Sequence, residues 1–305
     1  MTTAGTRYRL LVVDLDGTVR SRVHGITAGV REAVAAARAR GMRVCVATGR
    51  MWRSAEPWVR ALGADSPVIL YNGGQVLDFE AGRTLYERRL SLDAARAALA
   101  VIRRAPDVQP LLYVRDGVYA ERRDPLLDGY AVDDGLTYDV VPSFETLLVD
   151  EPHKLLVIGA AERIQALQHG VRAARLPVHD VQSEPVYLEI LPPGISKGTA
   201  MEAMLGALGI TAEETIAVGD NWNDLEMIEA AGLGVAMGQA PEGVRARADY
   251  VCGTAEEDGV KEVIERFVLG GAAADGVGRE RANRGPADPM AARSRRPGPP
   301  PAARG

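Results

Sequence analysis

Cysteine is nearly absent from this chain of 305 residues: Cys45 and Cys252 are the two it has. With no CxxC spacing they exclude a disulfide framework and a cysteine zinc site. Cys45 falls in the apolar run Arg43-Val44-Cys45-Val46-Ala47 and reads as a small buried hydrophobe. The four histidines, His24, His153, His169 and His179, are scattered without a His-x3-His pair and read as surface or packing residues. Aromatic residues are sparse, at 5%. Long apolar runs are missing too. No segment approaches the roughly 18 uninterrupted apolar residues that a membrane span needs. The run at 10–13 is too short for a signal peptide, so the cytoplasm is the expected compartment and no membrane partner is expected. An excess of positive charge is also lacking. The net charge is −5, and the segment from Gly270 onward holds seven Arg against three acids, so residues 1–269 carry about −9. A body that acidic is a poor partner for nucleic acid, whose binding rests on Lys and Arg against phosphates.

What is present is an ordinary globular balance, 47% apolar and 25% charged, in a chain long enough to expect two domains. The apolar run at 8–13 ends at Asp14 and suits a parallel strand covered on both faces. Thr27 caps a helix running to Arg40 with Gly41 as its stop. A second strand at 42–47, a helix at 52–62 and a third strand at 67–71 follow, before the turn Asn72-Gly73-Gly74. Near residue 82 the rhythm changes to a helix at 92–104, a hairpin around Asp116-Gly117, a strand at 153–158, a helix at 161–174 and a closing strand pair at 178–181 and 186–190. The alternation then resumes with a helix at 197–208, strands at 215–218 and 234–237, and a last helix near 260–268. Strands that alternate with helices predict an α/β fold: a Rossmann-like parallel sheet with helices on both faces. The middle stretch reads as an inserted α+β domain. The expected division is a core of 1–81 and 189–269, an insert of 82–188, and a disordered tail of 270–305, whose Gly, Ala, Pro and Arg bury too little apolar area to offset their ordering entropy.

Four short segments carry chemistry. Asp14-Leu15-Asp16-Gly17-Thr18 places two carboxylates on the loop at a strand's C-terminal end, the edge where open α/β sheets bind ligands. Two acids there can hold a divalent cation, and one can attack phosphorus while the other manages a proton. A solvent loop with an Asp-Gly turn is the alternative. Thr48-Gly49-Arg50 can donate hydrogen bonds to a phosphate oxygen, or be a plain helix cap. Lys197 opens a helix, where its charge opposes the macrodipole unless something negative sits beside it. Gly219-Asp220-Asn221-Trp222-Asn223-Asp224 follows another apolar strand with more acids. Two acidic clusters on one sheet edge repel unless a cation or proton compensates, and that coincidence favours a magnesium site.

In this order the four segments resemble the four motifs of the haloacid dehalogenase-like (HAD) hydrolase superfamily. Val46-Ala47-Thr48-Gly49-Arg50, Asn72-Gly73-Gly74, Ile195-Ser196-Lys197-Gly198 and Glu257-Asp258-Gly259-Val260 look like its Cof-type subfamily, and the likeness spans roughly residues 8 to 269. The insert is similar to that subfamily's α/β cap. The resemblance implies that Asp14 is the nucleophile and a ligand of Mg2+, and that Asp16 is general acid and then base, with its main-chain oxygen on the metal. It implies that Thr48, the Gly49 amide and the Leu15 N–H hold the phosphoryl group, that Lys197 neutralises it and Asp14, and that Asn223 contacts phosphate. Asp220 binds the metal in this scheme and Asp224 orients the metal's surroundings. Trp222 is the unfamiliar residue of its motif and is expected to pack against the core.

The expected activity is hydrolysis of small phosphate esters, sugar phosphates or phosphorylated cofactors, through an aspartyl phosphate. A phosphosugar mutase of phosphomannomutase type and a non-catalytic phosphometabolite-binding protein are the alternatives. Asp16 separates the chain from phosphorylating pumps and dehalogenases, which lack the second carboxylate.

Overall fold

The computed structural model describes residues 7–21 and 23–270. The tail expected to be disordered lies, past Gly270, outside the described residues. Strands β1 (Leu10–Asp14), β2 (Arg43–Ala47) and β3 (Val68–Leu70) alternate with helices α1 (Ala28–Ala39) and α2 (Trp52–Leu62), and a hairpin of β4 (Gln75–Asp78) and β5 (Arg83–Glu87) follows. Next come α3 (Leu92–Ile102), β6 (Val108–Val114), β7 (Gly117–Ala120), α4 (Pro125–Asp134), β8 (Asp139–Val140), β9 (Lys154–Gly159), α5 (Ala161–Ala173), β10 (His179–Glu184) and β11 (Tyr187–Leu191). The chain closes with α6 (Lys197–Leu208), β12 (Thr215–Gly219), α7 (Leu225–Ala230), β13 (Leu233–Ala236), α8 (Glu242–Arg245), β14 (Tyr250–Val251) and α9 (Gly259–Phe267).

Two sheets result, in the orders β14-β13-β12-β1-β2-β3-β4-β5 and β10-β11-β9-β6-β7-β8. From β14 to β3 the first sheet is parallel. Its central strand β1 is buried on both faces, as parallel strands between helices are. Leu11 and Val13 join a core with Val30 and Val34 of α1, Val59 of α2 and Val263 of α9. Leu10 and Val12 face the opposite way, onto Met201 and Met204 of α6 and Met227 of α7. The α/β class with helices on both faces is therefore as the alternation predicts. The second sheet sets Leu112 and Val114 against Leu99 of α3 and Ile164 of α5. Its other face, with Leu111, Tyr113 and Leu156, continues into the first core.

Local signals place most boundaries. The Thr27 side chain accepts from the Val30 N–H to cap α1, and Gly63 ends α2 in the left-handed region. The hairpin turn falls on Arg115 and Asp116, both with positive φ, because Val114 pairs with Gly117. That is one residue earlier than expected, and two left-handed central residues suit a tight hairpin. A second difference concerns β5. The change of rhythm assigns residues 82–188 to the insert, yet Arg83–Glu87 pairs with β4 and extends the first sheet, while β11 runs to Leu191 in the second. The β4–β5 pair reverses direction without leaving its sheet, so the rhythm changes before the sheet does. The hairpin strands β4 and β5, helices α4 and α8 and the two-residue strands β8 and β14 were not anticipated.

Candidate active site

The sheet order assembles the site. β1 lies between β12 and β2, with Val13 opposite both Val218 and Val46. The loops after all three strands therefore meet at one edge, carrying Asp14 to Thr18, Asp220 to Asp224, and Thr48 to Arg50. Lys197 enters as the first residue of α6, just after the Ser196 cap, whose side chain accepts from Thr199 N.

Lys197 is buried, and its Nζ donates to Asp14 Oδ1 at 2.5 Å and Asp224 Oδ1 at 2.6 Å. These carboxylates supply the negative charge that a lysine at a helix N-terminus requires. Burial alone would lower the Lys197 ammonium; Asp14 and Asp224 outweigh it and hold it above its ordinary value. Asp224 is fully engaged, since its Oδ2 accepts from the main-chain N–H of Asp220 at 2.9 Å and of Asn221 at 3.0 Å. It braces the loop that carries Asp220. Gly219 allows this, because a Cβ there would lie 2.4 Å from the Asp224 Cβ.

Asp14, Asp220 and Asp224 each offer an oxygen, and these atoms lie within 4.8 Å of one another. Burial pushes the Asp14 carboxyl well up, with Asp224 and Asp220 adding to it and Lys197 opposing. Burial and Asp224 push Asp220 up to about 7. A hard divalent cation is bound by clustered carboxylate oxygens and relieves that repulsion, so the donor set fits magnesium.

Asp16 stands apart from this cluster. Arg50 donates to it through Nε at 2.6 Å and Nη2 at 3.0 Å, and Arg20 through Nη1 at 2.7 Å. Burial would raise the Asp16 carboxyl, but Arg50 and Arg20 outweigh burial and hold it below its usual range. Arg50 reaches further, to Ser54 Oγ and to the main-chain oxygen of Asp134 at the end of α4, both at 2.8 Å. Sequence reasoning missed these partners.

The phosphate-binding candidates also converge. Thr48 is buried, and its hydroxyl oxygen accepts from the Arg50 N–H at 3.2 Å, which leaves its own proton for a ligand oxygen. Leu15 joins the two acids with its side chain in the core. Asn223 Nδ2 donates to Asn72 Oδ1 at 3.0 Å, and the Asn72 amide packs on Gly49, where a Cβ would lie 2.9 Å from Nδ2. Asn72 belongs to the turn after β3 and was not assigned a role. Trp222 does not pack into the core as expected. It is 56% exposed, with its ring against Gly243, and its main-chain N–H donates to Asn221 Oδ1.

A family model described as haloacid dehalogenase-like hydrolase matches residues 11–264. The 5-amino-6-(5-phospho-D-ribitylamino)uracil phosphatase YitU of Bacillus subtilis is 28% identical, over 86% of this chain and 98% of its own length. The pyridoxal phosphate phosphatase YbhA of Escherichia coli is 28% identical, over 86% of this chain and 99% of its own length. A solved haloacid dehalogenase-like hydrolase from Bacteroides thetaiotaomicron superposes with a TM-score of 0.77 at 32% identity, covering 85% of this chain and 99% of that one. With the four motifs gathered on one sheet edge and a family match over most of its length, the chain belongs to the haloacid dehalogenase-like hydrolases, in their Cof-type branch, and is a phosphoric monoester hydrolase.

Proposed function

We propose that this chain hydrolyses small phosphorylated metabolites with magnesium, through a phosphoryl group carried on Asp14. The observation that carries this reading is the buried triangle of Lys197 with Asp14 and Asp224 beside Asp220. Phosphoryl transfer needs position and charge neutralisation above all. An Asp14 oxygen attacks phosphorus, and the ester oxygen leaves with a proton from Asp16; Arg50 and Arg20 favour the ionised carboxylate, so Asp16 carries that proton only when their hold on it is relaxed. Water, giving its proton back to Asp16, then attacks the same phosphorus and releases inorganic phosphate and free Asp14. Lys197 offsets charge on the transferring group, and the Thr48 hydroxyl and the Gly49 and Leu15 amides hold its oxygens. Asp14, the main-chain oxygen of Asp16 and Asp220 would hold the magnesium ion, with Asp224 orienting them; when bound, the ion adds positive charge against the phosphoryl oxygens.

The residues of the second sheet serve as a cap over this edge in the proposal, with residues 82–188 as its approximate extent and 1–81 and 189–269 as the core. Sugar phosphates and phosphorylated cofactors are the substrates expected, the second class including the kind of compound named for YbhA. No nucleic acid or membrane partner enters the proposal, and among the described residues no helix is long and apolar enough to cross a membrane. The test is phosphate release from a panel of such esters, with magnesium or with chelator, by the native chain and by Asp14→Asn. Magnesium-dependent release abolished in the variant is the expected result. Release that survives in Asp14→Asn overturns the nucleophile, and transfer that requires a bisphosphate activator turns the reading to a mutase.

A further inference from the structure

The strands of the second sheet hold two charged side chains in unusual burial. Lys154 opens β9 and Glu189 lies in the middle of β11, and they are 3% and 4% exposed. Lys154 Nζ donates to Glu189 Oε2 at 2.7 Å. It also lies 4.7 Å from the centroid of the Tyr113 ring. Neither charge stops at its own sheet. Lys154 Nζ donates across to the main-chain oxygen of Gly49 at 2.9 Å, and Glu189 Oε1 accepts from Asn72 Nδ2 at 3.1 Å.

One crossing ends on Gly49, which would hold phosphate, and the other on Asn72, the hydrogen-bond partner of Asn223. The peptide between Gly49 and Arg50 is fixed at its two ends: its oxygen accepts from Lys154, and its N–H donates to the Thr48 hydroxyl oxygen at 3.2 Å. That second bond makes the Thr48 hydroxyl an acceptor toward Arg50 and a donor toward a ligand. On the other branch, a carboxylate can only accept, so Glu189 draws the NH2 end of Asn72 toward itself and turns Oδ1 toward Asn223. Asn223 Nδ2 donates to that oxygen at 3.0 Å. An apolar pair would join the two sheets equally well, since buried ion pairs are often no more stabilising than hydrophobic residues of similar volume. What a lysine and a glutamate add is polarity.

We propose that Lys154 and Glu189 are positioning residues, which set the hydrogen-bond polarity of Thr48 and Asn223 from the cap side and so make phosphate binding depend on the cap being seated. The inference rests on the phosphate-site reading above. It is tested in the full chain with Lys154→Met/Glu189→Leu, which removes both charges without stranding either, and with Glu189→Gln, which changes one atom. Turnover of p-nitrophenyl phosphate with magnesium and calorimetric binding of inorganic phosphate are measured beside melting temperature. The double variant is expected to melt within a few degrees of the native chain, while kcat falls about 10–100-fold, the scale on which small misplacements act. Phosphate affinity falls with it. A double variant that is folded and retains native kcat and phosphate affinity overturns the proposal, because the pair then only joins the sheets. If it does not fold, Glu189→Gln decides by the same two readouts. Asp14→Asn runs in parallel. A native chain that turns over while Asp14→Asn is inert keeps the catalytic reading whatever the pair does, and a native chain that neither turns over nor binds phosphate overturns both.

Discussion

Replacing Lys197 by methionine removes the one cation that Asp14 and Asp224 share while leaving a side chain of similar length. Both carboxylates are buried and both lie within 2.6 Å of Nζ. Breaking a buried ion pair by removing one partner costs about 3–5 kcal/mol, because the remaining charge is left without compensation. At about 2–4 °C per kcal/mol for a chain of this size, the melting temperature drops by roughly 6–20 °C. The loss depends on pH. Burial holds the Asp14 carboxyl up even with Lys197 present, and without the ammonium it rises further. Between the unfolded value, about 4, and the raised native value, the native state binds more protons than the unfolded chain, so stability falls as pH rises. The deficit of Lys197→Met therefore grows as pH rises above the ordinary carboxylate range, so it is larger at pH 8 than at pH 5. Calorimetry in chelator at both pH values measures it. Turnover with magnesium falls as well, by about 100-fold or more, the usual scale for deleting a group that stabilises transition-state charge. A variant that melts with the native chain at pH 8, or turns over at the native rate, refutes the reasoning.

Magnesium affinity rises with pH across neutrality, because the ion binds ionised carboxylates and burial pushes Asp220 up to about 7. Titration at pH 7 in buffers of different ionisation enthalpy detects the released protons, and an affinity constant from pH 5 to 8 contradicts this. Gly17→Ala weakens magnesium binding, since Gly17 has a φ of +87° and its Cβ would stand 2.5 Å from Asp220 Oδ2. Strain of about 1–3 kcal/mol is expected, whereas Gly41→Ala, at φ +85° with nothing within 4 Å, strains the backbone and leaves the metal affinity alone. Arg50→Gln lets the Asp16 carboxyl rise, because burial remains while the stronger of its two arginine partners goes. The limb of the pH–rate profile that belongs to Asp16 then moves to higher pH, and an unmoved profile assigns that limb elsewhere.

What the sequence shows and hides follows from how local each cause is. The strand into Asp14 and the strand into Asp220 are short apolar runs bounded by acids, and that pattern needs no tertiary knowledge. The caps at Thr27 and Ser196 are equally local. Helix α4 was missed because its apolar residues do not share a face: Leu127 and Ala131 are buried while Leu126 and Val132 are exposed. The Asp124-Pro125 start and Gly135 end were the available signals. The partners of the site residues were hidden by distance along the chain. Arg50 meets a residue 84 positions away and Asn72 one 117 positions away. One clue was legible: a lysine opens one run of apolar residues and a glutamate interrupts another, in Lys154-Leu155-Leu156-Val157 and Leu188-Glu189-Ile190. Buried charges in such places must find partners, though not which ones.

The proposed mechanism divides the acids of the site between two tasks, and the charges of the site fit that division. Asp16 is held by Arg20 and Arg50, and Arg50 is shared with Asp134, so that group closes near neutrality. Asp14, Asp220 and Asp224 have Lys197 alone, which serves the first and last of them. Among the described residues Asp220 makes no ion pair; it accepts from the Thr18 hydroxyl at 3.3 Å. Three carboxylates against one ammonium leave two negative charges in a buried cluster, which costs free energy unless protons or a cation offset them. Burial raises the Asp14 and Asp220 carboxyls, so two protons would settle there, and in the proposed mechanism a protonated Asp14 does not attack phosphorus. One divalent cation would neutralise the cluster and leave Asp14 ionised, as the proposal requires. The same arithmetic favours an Asp16 held out of the cluster: a fourth carboxylate there would restore the excess, and two guanidinium groups hold it apart, where in the proposed mechanism it exchanges a proton without disturbing the residues that would hold the metal.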